Sequence, residues 1–264
     1  MLKSARQAQI RRLVDEQGQI TVAELNRLLK VSEATVRRDL EELANQGWIR
    51  RTHGGAVKVE RARREPPIVQ RLSANQEAKQ RIGRLAASLV QPGETIFLGS
   101  GSTVQCMVPH LRAIPELTVI TNSLPVINEL AGNDHTELIV IGGMFRQSEL
   151  SMVGHIAEQA IREFRADRVF MGIRGIDVQH GLTSDYLPEA MTDRAILAIA
   201  PQRIIVADHS KFSRVSTVFL APVTAIDVLV TDTITDPSFV DALRQLNIQV
   251  LTCDGDLPGP DARS

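Results

Sequence analysis

Over the first sixty residues the apolar side chains recur every three or four positions. Ile10, Leu13 and Val14 fall at i, i+3 and i+4, which predicts an amphipathic helix over residues 4–17 that stops at Gly18. Thr21 and Glu24 have capping-box spacing, so the Thr hydroxyl can accept from the Glu24 amide while the carboxylate reaches back. The helix they start carries Val22, Leu25, Leu28 and Leu29. After a turn at Val31-Ser32, with Ser32 as cap, Val36, Leu40 and Leu43 form one stripe of a third helix that ends at Gly47. Residues 48–51 and 56–59 then alternate as two short strands around Gly54-Gly55, with Trp48 packing them onto the helices. Three short helices followed by a hairpin predict a winged helix-turn-helix.

From residue 76 the pattern changes. Helical spacing through Ile82, Leu85, Ala86 and Leu89 is followed by short β-branched runs at 95–98, 117–120, 137–141, 168–171, 203–207, 227–230 and 248–251. Helical stretches separate most of them, among them 104–111, 125–130, 154–164 and 188–200. Apolar strands alternating with helices predict an α/β unit: a Rossmann-like, mainly parallel sheet covered on both faces. Residues 60–75 are polar and basic, with Pro66-Pro67 interrupting any long helix, and are expected to be a linker. The expected organisation is therefore a DNA-binding domain at 1–59, a linker at 60–75, an α/β domain at 76–253 and a disordered tail at 254–264.

Charge sharpens the division of labour. The net charge is −1, yet residues 1–75 hold 15 Lys+Arg against 9 Asp+Glu, which leaves 15 against 22 in the remainder. A basic end on an acidic body suggests that only the former meets a polyanion. With Val36, Leu40 and Leu43 inward, and about 100° per residue, Ala34 and Arg38 of the third helix point outward and Thr35 and Arg37 flank them. An exposed Arg on a short helix is often merely solvated; three-helix context and a basic wing argue for a major-groove helix instead. The candidate DNA-binding residues are Ser32, Thr35, Arg37 and Arg38, with Arg51 and His53 on the wing.

In an open parallel sheet, ligands bind beyond the carboxyl ends of the strands. Residues 99–103, Gly-Ser-Gly-Ser-Thr, follow the first strand and precede a helix, so curled amides and hydroxyls can cup a phosphate or carboxylate. The loop lacks the Lys of a nucleotide P-loop. Later strand ends supply Thr121-Asn122-Ser123, Gly142-Gly143, Arg174 and Asp177, then Asp185, and finally Lys211 after Asp208-His209-Ser210. The candidate ligand set is Ser100, Gly101, Ser102, Thr103, Thr121, Asn122, Ser123, Gly142, Gly143, Arg174, Asp177, Asp185 and Lys211.

The run VSEATVRRDLEELANQGWIRRTHGGA resembles the DeoR/GlpR family of bacterial regulators of sugar metabolism. The likeness continues through GSGST, TNS, IGG, GIDVQHGLT and DHSK, and ADHSKFSR is similar to the glycerol-3-phosphate repressors of that family. The resemblance implies a sensor domain of the ribose-5-phosphate isomerase type that binds a phosphorylated sugar or polyol, with phosphate at Ser102-Thr103 and near Lys211. Where the isomerase carries a D-G-A-D motif this chain has Arg174-Gly175-Ile176-Asp177. An arginine at the first carboxylate position speaks for binding without turnover. No catalytic residue is therefore expected; the alternative is a sugar-phosphate isomerase or deaminase with an appended DNA-binding domain.

Remaining features exclude other classes. No apolar run approaches the roughly 20 residues needed to cross a bilayer, and the basic N-terminus has no apolar core behind it. Cys106 and Cys253 make no disulfide framework, and the six histidines show no metal-ligand spacing. The expectation is a cytoplasmic, metal-free and cofactor-free repressor of a carbohydrate operon. Its partners are double-stranded operator DNA and a phosphorylated effector, and a homodimer or homotetramer is expected in order to reach two half-sites.

Overall fold

A computed structural model describes residues 2–45, 48–52, 54–58, 60–61, 66–232 and 237–253. Gly47, His53, Val59 and the expected tail at 254–264 lie outside the described residues. The chain divides into two compact units, Met1–Arg61 and Ala62–Ser264.

In the first unit, α1 (Lys3–Gln17), α2 (Val22–Leu29) and α3 (Glu33–Asn45) pack around Ile10, Val14, Leu25, Val36, Leu40 and Leu43, each at most 1% exposed. Burying a side chain of this size contributes about 1.5–3 kcal/mol. The capping box at α2 forms as its spacing requires: the Glu24 amide donates to Thr21 Oγ1 at 3.2 Å, and Glu24 Oε2 accepts from the Thr21 amide at 2.8 Å. Leu28, expected in the core, is exposed, because the stripe needs only Val22, Leu25 and Leu29. Strands β1 (Gln19–Thr21), β2 (Ile49–Thr52) and β3 (Gly55–Lys58) form an antiparallel sheet with β3 in the centre. At Gly55 a Cβ would lie 2.1 Å from the Ile20 carbonyl oxygen, so only glycine lets β3 approach β1. Trp48 does not sink into the helices. It stays 43% exposed and stacks on α1 through Arg11, whose guanidinium carbon is 3.2 Å from the ring centroid.

The second unit is built on seven parallel strands. Their order across the sheet is Gln249–Thr252, Val228–Thr231, Gln202–Val206, Arg168–Met171, Thr95–Leu98, Leu117–Thr121 and Thr136–Val140. All seven lie within a residue or two of the runs expected from sequence. Alternate residues face opposite layers: Phe97, Val169 and Ile205 pack in one apolar layer, and Ile96, Leu98, Phe170 and Ile204 in the other. Helices cover both faces, as the unbroken apolar strands require.

Three features depart from the expected pattern. The stretch 104–111 is two short helices, Ser102–Gln105 and Val108–Leu111, because Pro109 cannot continue a helix begun before it. Residues 66–75 are not a free linker: Ile68 is 1% exposed, begins the short helix Ile68–Arg71 and donates its amide to Ser148 O at 2.8 Å. Two antiparallel additions rise above the main sheet, the hairpin Met144–Arg146/Ser151–Val153 and the three-stranded Gly175–Asp177, Gly181–Ser184 and Val218–Ala221.

Candidate functional sites

On the first unit, α3 presents an exposed N-terminal face. Ser32 Oγ accepts from the Thr35 amide at 3.3 Å and lies 2.9 Å from Thr35 Oγ1, so both hydroxyls help to start the helix. Arg37 and Arg38 are exposed, and Arg37 lies 3.7 Å from Glu33 in a solvated pair that costs little to exchange for phosphate. Arg51 is exposed on β2, whereas the candidate His53 is outside the described residues. Asp39, between the outward-facing positions, carries the orientation of this surface. It is 1% exposed and pairs with Arg6 of α1, which donates from Nε to Oδ2 and from Nη2 to Oδ1, the latter at 3.2 Å. The pair locks the candidate recognition helix to α1, and no local spacing in the sequence marks Asp39 for this role.

On the second unit, the strand order reverses direction between Thr95–Leu98 and Arg168–Met171, the topological switch point of the sheet. A cleft opens over their carboxyl ends. It brings together Ser100, Gly101, Ser102, Thr103, Arg174 and Lys211 of the expected set, and adds Arg71, Glu149, Thr183, Ser184, Glu189 and Asp193. Gly101 has φ +133°, a conformation open in practice to glycine alone, and curls the loop into the cleft. Ser102 and Thr103 are 3% and 6% exposed, and the following helix has only four residues. The loop's amides and hydroxyls, rather than a long helix dipole, therefore supply the donors. On the far wall Asp208 accepts from the Ser210 amide and from Asn75 Nδ2, both at 3.0 Å, which fixes the turn that carries Lys211. Burial opposes ionisation of Asp208, but Ser210, Lys211 and Asn75 outweigh it and hold the carboxyl below its ordinary value.

The floor is an arginine–carboxylate network. Arg174 reaches Glu149 at 2.7 Å, Asp185 at 3.0 Å and Glu189 at 3.3 Å. Arg146, over the Tyr186 ring, reaches Glu189 at 2.5 Å and Asp185 at 3.4 Å, and Arg71 pairs with Glu149. Burial works against the Arg174 charge, yet these carboxylates raise its pKa above the ordinary arginine value. Arg174, one of the expected ligand residues, is engaged by the protein's own acids. Asp193 also lines the cleft. Burial, then the charge of Glu189, pushes its carboxyl well above the usual aspartate range.

Seven expected ligand residues lie off the cleft lining, and most have structural work. Asp177 Oδ1 accepts from the amides of Gln179 and His180, each at 2.9 Å, and lies 2.8 Å from His180 Nδ1, so it anchors a hairpin turn. Thr121 donates to Leu98 O at 2.7 Å and accepts from the Ser123 amide at 3.1 Å. Asn122 exchanges hydrogen bonds with Met152, Nδ2 to its carbonyl and backbone oxygen from its amide, both at 2.8 Å. Ser123 bridges to Ser151. Asn122 and Ser123 thus hold the hairpin that delivers Glu149. Gly142 and Gly143 lie in the short connection that leads into that hairpin. Asp185 reaches the cleft only through its pairs with Arg146 and Arg174.

A winged helix-turn-helix followed by an α/β unit with a polar switch-point cleft is the plan of a ligand-responsive transcriptional regulator. Comparison with known proteins gives the family. Residues 6–62 match the DeoR-like helix-turn-helix domain and residues 74–233 the DeoR C terminal sensor domain. The chain belongs to the DeoR family of DNA-binding transcriptional regulators. It is 34% identical to the transcriptional repressor AccR of Agrobacterium fabrum, over 86% of this chain and 88% of that one. It is 32% identical to the HTH-type transcriptional repressor GlcR of Bacillus subtilis over 97% and 98%. With the glycerol-3-phosphate regulon repressor of Escherichia coli it shares 33% identity over 96% and 100%. A ribose 5-phosphate isomerase A structure from Methanocaldococcus jannaschii aligns with TM-score 0.39 at 17% identity, over 53% of this chain and 55% of that one, too distant a likeness to bear an argument.

Proposed function

We propose that the chain is a cytoplasmic repressor of a carbohydrate or polyol operon whose operator affinity changes when a phosphorylated sugar or polyol occupies the switch-point cleft. The observation that carries this reading is the meeting of the Ser100–Thr103 loop with Lys211 and Arg71 in one cleft. Phosphate oxygens suit the amides, buried hydroxyls and cations on that side. The carbinol end of a sugar suits Ser184, Glu189 and Asp193 on the other. The carboxylates paired with Arg146 and Arg174 are acceptors held in place, and a carboxylate so held is poorly suited to shuttle protons, so the cleft favours binding over turnover.

On the first unit, Ser32, Thr35, Arg37, Arg38 and Arg51 are the side chains we assign to operator DNA, with α3 in the major groove. Two half-sites require two such helices, hence a homodimer or homotetramer. Coupling requires that the ligand bind the DNA-competent and incompetent states unequally.

The test is a mobility-shift titration on DNA from upstream of the chain's own gene, with glycerol 3-phosphate, glucose 6-phosphate, fructose 1-phosphate and ribose 5-phosphate. At least one ester is expected to change operator affinity by about 5–150-fold, the usual span of allosteric coupling. Specific DNA binding that responds to none of a wide panel of phosphate esters would remove the sensor reading. Turnover of any of them would replace it with the enzyme.

A further inference from the structure

The segment that leads into the body, residues 66–75, is fastened at three points around the cleft. Ile68 donates its amide to Ser148 O at 2.8 Å, Arg71 pairs with Glu149, and Asn75 Nδ2 donates to Asp208 Oδ1 at 3.0 Å. Each anchor sits on or beside a cleft residue: Ser148 precedes Glu149, and Asp208 starts the turn that ends in Lys211. The end of the short helix is clamped as well. Lys79, 4% exposed, donates to the carbonyls of Arg71 and Ala74, both at 2.5 Å.

The middle anchor differs from the others in being exchangeable. Glu149 is 3% exposed and is shared by two arginines, Arg71 on Oε2 and Arg174 on Oε1. Removing the sole partner of a buried carboxylate is prohibitive, but removing one of two leaves it paired. Arg71 lines the same cleft as Ser100–Thr103 and Lys211, and its planar fork matches a phosphate as well as it matches a carboxylate. A dianion held by that loop is therefore a direct rival to Glu149 for Arg71.

We propose that Arg71 is an effector-sensing residue: a phosphate ester in the cleft takes its guanidinium from Glu149, and the resulting release of residues 68–75 is the signal passed along the chain towards the DNA-binding unit. This rests on the switch-point cleft being the effector site. It adds the residue that turns occupancy into motion. Arg174 keeps Glu149 neutralised throughout, so the two arginines of the pair have different tasks.

Hydrogen exchange on the full chain tests the device, with glycerol 3-phosphate, glucose 6-phosphate, fructose 1-phosphate and inorganic phosphate as probes at saturating concentration. In the wild-type chain a bound ester is expected to slow exchange at 100–105 and to speed it at 68–75, each by at least about fivefold. Arg71→Gln should keep the slowing at 100–105, at higher ester concentration, and lose the response at 68–75. Glu149→Gln should show fast exchange at 68–75 with no ester present. The proposal is overturned if 100–105 responds in the wild type while 68–75 does not, if Arg71→Gln responds at 68–75 like the wild type, or if Glu149→Gln without ester matches the unliganded wild type. Silence of both segments with every probe would instead strike the effector site itself, and the sensing role with it.

Discussion

Replacing Asp39 with alanine isolates what holds the recognition helix in place. The Asp39 side chain is 2% exposed and that of Arg6 13%, and the two are joined by paired hydrogen bonds between α3 and α1. Deleting the carboxylate takes from the nearly buried Arg6 guanidinium its paired acceptor, and breaking a fully buried pair in this way costs about 3–5 kcal/mol. Because the Arg6 side chain keeps some access to water, the lower end, about 3 kcal/mol, is expected. A unit the size of Met1–Arg61 has roughly 3–9 kcal/mol of stability in all, so this single change uses a third or more of it. The assay is specific because Trp48 is the only tryptophan in the chain and lies in this unit. Its fluorescence follows unfolding of the DNA-binding unit alone. Asp39→Ala should lower the thermal midpoint seen by Trp48 by roughly 12–24 °C, at about 4–8 °C per kcal/mol for a small unit. The transition of the body, followed by far-ultraviolet circular dichroism, should not move. Asp39→Asn, which keeps the shape and a neutral acceptor, should cost about 1–2 kcal/mol. If Asp39→Ala moved the Trp48 transition by less than about 4 °C, the pair would be a minor surface contact and the reasoning wrong.

Four further outcomes follow from the same geometry. Arg38→Ala is expected to weaken operator binding and reduce its salt dependence while stabilisation by a phosphate ester persists; equal loss of both would point to misfolding, checked by circular dichroism. Lys211→Ala should leave operator affinity in place and abolish ester-induced stabilisation in a thermal-shift titration. Thr21→Ala removes the side-chain acceptor of the α2 cap and should cost about 1 kcal/mol in the Trp48 transition. Asp193 has a folded-state pKa raised by burial, so the folded state favours its protonated form. That contribution is fully present below the unfolded aspartate value and is lost as pH rises through the folded value. Asp193→Asn should therefore stabilise the body at neutral pH, with the advantage shrinking as pH falls towards the unfolded aspartate value; a difference that does not change with pH in melts between pH 4 and 8 would contradict it.

Local chemistry was readable wherever the physics is local. The capping box at Thr21 and Glu24, the Val36-Leu40-Leu43 stripe and the seven β-branched runs depend on spacing within one element, and each formed where the spacing put it. The Ser100–Thr103 loop was legible for the same reason, since glycine and hydroxyl residues after a strand state what the backbone can do there. Outward-facing Arg37 and Arg38 needed only the helical period.

Tertiary structure alone decided which strand ends share a cleft. Strand order placed the ends of Thr95–Leu98, Arg168–Met171 and Gln202–Val206 side by side and those of Leu117–Thr121 and Thr136–Val140 further out, so Thr121–Ser123 and Gly142-Gly143 lie off the cleft lining. It also brought in Arg71 and Glu149, which lie 78 positions apart in the chain. Neither stands out in sequence, because a polar residue at the end of a four-residue helix, or in the turn between two three-residue strands, has no local mark of burial. Long-range ion pairs of this kind, Arg6 with Asp39 and Arg71 with Glu149, form only once packing has removed water from both partners, and no spacing rule records that.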